Sequence, residues 1–404
     1  MSTNETVMPD ENLQTEEFGK KRSLGGAYKI FVYFFGVFAS SFHIYIAITG
    51  IWEAYKFRAV HFALLVPLAF LMYPFSRRSP RNRFTLPDVG IALVTFLIAG
   101  YFGIYKYAEI VQRIVFVNKV SDLDFFLSII LVICVFEAVR RVVGYPMVIV
   151  ALCILAYGMF GQYLPGAAGH PGFRLVRIFE NLVMTPEGIF GIPMGASATF
   201  VFLFVLFGAF LEVSGVGDFF MDLACGLAGG TRGGPAKIAV VGSVLFGTIQ
   251  GSAISNVVST GTFTIPLMKR LGYPPTFAAA VEASASTGGQ IMPPIMGAAA
   301  FLLAEFVGIP YISLAGMALV PALLYFASVF LMVHFAAGKM NLKGLDRETL
   351  PKILPALKER GLLMLPLVVI VFVMILGYTA YFAAFCAIVS VVSVSIIVKF
   401  INKK

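Results

Sequence analysis

The chain has 404 residues, 59% of them apolar and 14% aromatic, with only 13% Asp, Glu, Lys and Arg. Soluble domains average about 45–50% apolar and about 25% charged, so 40 Phe and a mean hydropathy of +0.89 exceed what one water-soluble core can hide. A soluble enzyme and a disordered scaffold are excluded, a nucleic-acid partner is disfavoured despite the formal charge of +9, and an integral membrane protein remains.

Residues 1–27 form a polar segment with Lys20, Lys21 and Arg22 shortly before the first apolar run. The apolar run at 28–51 lacks a small-residue cleavage site and reads as a retained span. Further spans are predicted at 59–76, 88–106, 123–142 and 145–163. The Gly-rich PGAAGHPG at 165–172 leads into RLVRIFENLV. There Arg174, Arg177, Glu180 and Asn181 share much of one face, which predicts an interfacial helix. After a span at 189–213 come short pieces near 217–229, 238–249, 256–268 and 276–305, then spans at 311–336, 362–378 and 380–399. The four cysteines and four histidines are scattered singly and read as buried or interfacial filler.

With the N-terminus in the cytoplasm and 238–268 entering and leaving by one face, 23 of the 30 Lys and Arg fall on the cytoplasmic side. That asymmetry follows the positive-inside rule. The charge marks loop ends and sets topology.

The stretch from 231 to 305 carries the chemistry. Pieces of 12 or 13 residues span near 18–20 Å of helix, against about 20 residues needed to cross the hydrocarbon core. Two of them joined by QGSAIS predict a re-entrant hairpin with its tip near the middle. The following helix meets STGGQIMPP about 18 Å deep. Gly288, Gly289, Pro293 and Pro294 cannot sustain it, so it is expected to unwind and restart with proline in its first turn.

Unwound backbone at that depth must be buried in protein or line a wet cavity. Helix ends near Gln250 and Ser286 present carbonyls suited to a cation; helix starts near Asn256 and Pro294 present N–H groups suited to an anion. Ser252, Ser255, Asn256, Ser286, Thr287 and Gln290 add hard, uncharged oxygen ligands of the kind sodium takes. Glu282, inside AAAVEASAS, is a candidate proton carrier, weighed equally against a hydrogen-bonded or snorkelling acid. Glu137, Glu212 and Glu305 lie near span ends and read as interfacial.

The runs FVFLFVLFGAFLEVSGVGDFF (200–220), GGPAKIAVVGSVLFGTIQGSAISNVVSTGTFTIPLMKRLGY (233–273) and FAAAVEASASTGGQIMPPIMGAAAF (277–301) resemble the large membrane subunit of tripartite ATP-independent periplasmic (TRAP) transporters. The likeness is greatest to the fused-permease type that works with a TAXI-class binding protein. The resemblance implies an all-α polytopic membrane protein of about nine spanning helices plus the hairpin and broken helix, the first half of an inverted-repeat elevator transporter. It divides the chain into a cytoplasmic segment 1–27, a small-subunit-like four-helix part 28–142, a first repeat 143–336, and a basic loop with two helices at 337–404. The repeat contains the hairpin 238–268 and the broken helix 276–305.

By motif, Gly251, Ser252, Ala253 and Asn256 match the family's hairpin tip. Ser286, Thr287, Gly288, Gly289, Gln290, Pro293 and Pro294 match its broken helix. Cation coordination there is implied to be largely by backbone carbonyls, placing Na+ at Ser252, Gly289 and Pro294. A sodium gradient, or in some TAXI systems a proton gradient, would drive uptake of organic acids across a bacterial or archaeal inner membrane, with no cofactor besides the coupling ion. The implied partners are a TAXI-type binding protein, membrane lipid and no nucleic acid. No second hairpin-and-break follows residue 305, so the chain is expected either to be truncated and inactive alone or to be completed by a separate chain that supplies that repeat. The competing reading is a non-transporting scaffold derived from such a permease. A membrane-embedded enzyme ranks last, since no Ser/His, Cys/His or paired-carboxylate set accompanies the breaks.

Overall fold

The computed structural model describes residues 21–401 apart from 51, 77, 347 and 349, with only the backbone of 399–401. Most of the polar segment 1–27, including Lys20, therefore lies outside the described residues. Among those described, regular structure is helical throughout.

Residues up to 46 together with 50–198 form one compact unit, and 47–49 with 199–404 form another. The first unit contains α1 (Gly26–Thr49), α2 (Ala54–Met72), α3 (Leu86–Gly100), α4 (Tyr107–Gln112), α5 (Asp122–Val142), α6 (Tyr145–Phe160), α7 (Leu175–Val183) and α8 (Ile192–Ala196). Each start has a local cause. Glu53 accepts from the Tyr55 and Lys56 amides at the head of α2, Thr85 and Asp88 form a capping box on α3, and the Ser121 hydroxyl caps α5. The core joins Tyr55, Ala59 and Phe62 of α2 to Phe102, to Leu131 of α5 and to Phe190.

Charge is buried in this unit. Asp88 accepts from Arg22, from the Thr85 hydroxyl and from Arg141 Nη1 at 2.6 Å, all with buried side chains except that of Thr85. Arg141 Nη1 also reaches the Phe70 and Tyr73 carbonyls (3.2 and 3.0 Å) where α2 ends. Glu137 pairs with Arg140 at 2.6 Å and Arg141 at 2.7 Å. The polar face of α7 departs from the interfacial expectation at one point. Glu180 is buried, held by Arg113 at 3.1 Å and Arg177 at 2.9 Å, so that face turns partly to protein. Two of the dispersed histidines meet: His43 Nε2 lies 2.8 Å from His61 Nδ1, and His61 Nε2 lies 3.1 Å from the Ser197 hydroxyl.

The second unit contains α9 (Phe202–Val213), α10 (Val216–Ala228), α11 (Gly234–Gly247), α12 (Ala253–Arg270), α13 (Pro275–Gly288), α14 (Ala298–Val307), α15 (Tyr311–Lys339), α16 (Ile353–Arg360), α17 (Leu365–Ile375) and α18 (Ala380–Ile401). Its core packs Ala236, Ala239 and Val240 of α11 against Ala278, Val281 and Ala285 of α13 and Phe326 and Val333 of α15. Alanines on the facing stripes let these helices approach closely.

Among the described residues, seven helical segments are long and apolar enough to cross a membrane: 26–49, 54–72, 86–105, 145–163, 192–213, 311–339 and 380–398. Two of the nine expected spans fall outside this set. Helix α5 has 21 residues but carries acids and arginines at its two ends, and α17 has only 11 residues after a tighter turn.

Candidate functional site

The expected hairpin consists of α11 and α12, joined at Thr248–Ser252, and the expected broken helix of α13 and α14, joined at 289–297. At 14 and 18 residues, the hairpin helices are longer than the apolar runs that mark them, because each begins before its run, α11 at Gly234 and α12 at Ala253, and α12 continues past Pro266 to Lys269 and Arg270. At 1.5 Å per residue they span about 21 and 27 Å.

The restart is a correction. Proline does not open α14. After one tight turn at Gly289–Ile291 the chain runs through Pro293–Pro294, joined by a cis peptide, and α14 starts only at Ala298. Met296 is the reason. Its φ of 55° is left-handed, which no helix residue adopts, while the Gly297 amide turns back to the Gln290 carbonyl at 2.7 Å. The prolines therefore shape the linker.

Tip and linker touch through their main chains. A Cβ on Gly251 would lie 1.6 Å from the Met296 carbonyl oxygen, and one on Gly247 would lie 2.7 Å from Gly289 Cα. Both contacts require glycine.

Beside that seam the polar side chains form a continuous row. Asn256 of α12 is wholly buried, and its Nδ2 donates to the Ser243 carbonyl of α11 at 3.1 Å. A carbonyl can only accept, so this contact fixes the amide's orientation and leaves Asn256 Oδ1 as the free end. Among the described residues that oxygen is buried without a hydrogen-bond donor, while the nitrogen end of the same amide is the one beside Gly289, within 2.9 Å of where a Cβ there would lie. The Ser243 hydroxyl lies 3.4 Å from that of Ser286, and Ser286 lies 3.1 Å from Glu282.

Glu282 is fully buried on α13, its two oxygens contacted by the hydroxyls of Thr260 and Thr264 from α12. The same hydroxyls reach the carbonyls one turn back, Asn256 at 2.8 Å and Thr260 at 3.0 Å. Each threonine has one proton for two acceptors. A proton on the carboxyl reduces that shortfall.

Gly251, Asn256, Ser286 and Gly289 thus gather at the seam, with Glu282 one helical turn from Ser286, whereas Gly288 faces Tyr325 and Phe326 of α15 instead. Ser252 accepts from the Ser255 amide at 3.3 Å and caps α12, with Ala253 as its first residue. Thr287 is exposed and turned to the Ala283 carbonyl at 2.7 Å, and the Gln290 side chain is exposed. Pro293 and Pro294 are half-buried, and the Pro294 carbonyl accepts from the Tyr311 hydroxyl at 3.0 Å. Glu212 and Glu305 are exposed. Sequence reasoning missed Ser243, Thr260, Thr264 and Tyr311. The spacing Asn256, Thr260, Thr264 was a readable signal, since every fourth residue shares one helical face.

Residues 130–404 match the family model described as tripartite ATP-independent periplasmic transporter, DctM component. Among curated relatives, an uncharacterized protein, y4mL, of Sinorhizobium fredii is 27% identical over 245 residues, covering 60% of this chain and 54% of its own. The C4-dicarboxylate TRAP transporter large permease protein DctM of Pseudomonas aeruginosa is 30% identical over 167 residues, 41% of this chain and 39% of its own. The 2,3-diketo-L-gulonate TRAP transporter large permease protein YiaN of Escherichia coli is 26% identical over 150 residues, 37% of this chain and 35% of its own. The chain thus spans about half or less of the length of these relatives.

Proposed function

The chain belongs to the DctM-component family of tripartite ATP-independent periplasmic transporters, and from that premise we propose that it is a permease component of an ion-gradient-driven transporter for organic acids. In this reading α11 and α12 are a re-entrant hairpin, α13 and α14 are a broken helix, and the seam between them holds the coupling ion, Na+ in preference to H+. A binding protein of the TAXI class delivers the substrate, with 28–142 acting as the small-subunit part and 143–336 as the first repeat. The N-terminus is cytoplasmic, in a bacterial or archaeal inner membrane.

One observation carries the ion assignment. Asn256 Oδ1 is a buried hard-oxygen acceptor that lacks a donor, and leaving such a group unmet costs about 1–3 kcal/mol. A cation bound at that oxygen would meet it, with the Gly289 carbonyl and Ser252 as the further ligands of this reading. The names of two relatives, a C4-dicarboxylate and a 2,3-diketo-L-gulonate transporter subunit, support a carboxylate as substrate.

The test is thermal unfolding of the detergent-solubilised chain in NaCl against choline chloride, with Asn256→Ala as control. Sodium should raise the wild-type midpoint and leave that of the variant unchanged. An equal response to both salts would remove the ion from the seam. In vesicles holding the complete transporter, uptake indifferent to sodium, pH gradient and binding protein would remove the transport reading.

A further inference from the structure

An apolar groove runs along the first compact unit between α1, α2 and α3. Its floor is Pro67, Leu71 and Ala92, all buried, and its walls include Tyr28 and Phe31 on one side and Leu93 on the other, all exposed. From Ala27 to Phe35 on α1 it extends about 12 Å, close to the roughly 15 Å depth of one leaflet's hydrocarbon. Groove residues adjoin the buried charge cluster in sequence at three points. Leu71 precedes Met72, whose carbonyl accepts from the Arg22 amide at 2.8 Å; Phe84 precedes Thr85; and Val89 follows Asp88. One end of the groove therefore rests on that cluster.

The cluster is electrically incomplete. Among the described residues, Arg22, Arg140 and Arg141 face only Asp88 and Glu137, an excess of one positive charge. Among the described residues, Arg22 Nε and Nη1 and Arg141 Nη2 are buried donors without acceptors, although both side chains are at most 1% exposed. The loop from α2 to α3 adds Arg78, Arg81 and Arg83, all exposed.

We propose that the groove holds one acyl chain of an anionic glycerophospholipid whose phosphate sits at the arginine end. A zwitterionic lipid would satisfy the groove equally but brings no net charge to balance the surplus, so the arginines select for an anionic headgroup. Arg22 lies on the non-helical approach to α1, before Gly26.

The chain, solubilised in a mild detergent, is heated with phosphatidylglycerol, phosphatidylcholine or inorganic phosphate, and co-purifying lipid is read by native mass spectrometry. Phosphatidylglycerol should co-purify and raise the unfolding midpoint by several degrees, with phosphatidylcholine giving less than about half that shift and phosphate none. Ala27→Trp, at an exposed position on the groove rim, should leave the lipid-free midpoint within about 2 °C and abolish the phosphatidylglycerol increment. Arg22→Gln should erase the preference between the two lipids; if it does not fold, Ala27→Trp decides alone. Equal shifts from both lipids, a full shift from phosphate, or an Ala27→Trp protein that still responds would each overturn the site.

Discussion

Replacing Glu282 tests the buried row most directly. In Glu282→Ala the carboxyl and a methylene vanish from a site with no exposure. Large-to-small changes at such sites cost about 2–5 kcal/mol. The loss should fall low in that range, about 2–3 kcal/mol, because Thr260 and Thr264 keep their carbonyl partners at 2.8 and 3.0 Å. Glu282→Gln is nearly isosteric with the protonated acid. Its amide oxygen can accept from Thr260 and Ser286 while its NH2 donates to Thr264, so it should cost less than about 1 kcal/mol. Equilibrium unfolding in mixed micelles, titrated with a denaturing detergent, would measure both. If the carboxyl were ionised without a cation, removing the charge would relieve the burial of an unpaired ion, and Glu282→Gln would stabilise the chain by a kcal/mol or more. That result, or a Gln variant as damaged as the Ala one, would refute the proton count.

Gly251→Ala should destabilise by about 1–3 kcal/mol in the same assay, because its Cβ would lie 1.6 Å from a main-chain oxygen; a neutral effect would mean the tip and linker do not touch. Tyr311→Phe removes the hydroxyl that meets the Pro294 carbonyl at 3.0 Å and should cost about 0.5–1.5 kcal/mol. Asp88→Asn leaves Arg22 and Arg141 buried without their carboxylate and should cost about 3–5 kcal/mol, seen as a lowered midpoint or lost expression. An unchanged midpoint would show that water reaches the cluster.

The all-helical class was legible because apolar runs and Gly/Pro punctuation are local. The breaks at 248–252 and 289–297 follow the glycines and prolines that mark them. What depends on distance was hidden. Asp88 is 66 residues from Arg22 and 53 from Arg141, and nothing local pairs them. Tyr311 reaches the linker from the next helix. The late start of α14 escaped for another reason: proline at a helix start is the usual expectation, and the left-handed Met296 overrides it. Thr260 and Thr264 were overlooked within an apolar piece, though their register with Asn256 was present in the sequence.

Main-chain contact between Gly251 and Met296, and between Gly247 and Gly289, gives that seam the character of a keyed joint. Flexible side chains could yield by degrees, but here the smallest available addition, one methyl group, is already too large. A substitution there has no graded series to offer: the first carbon added must already displace main chain.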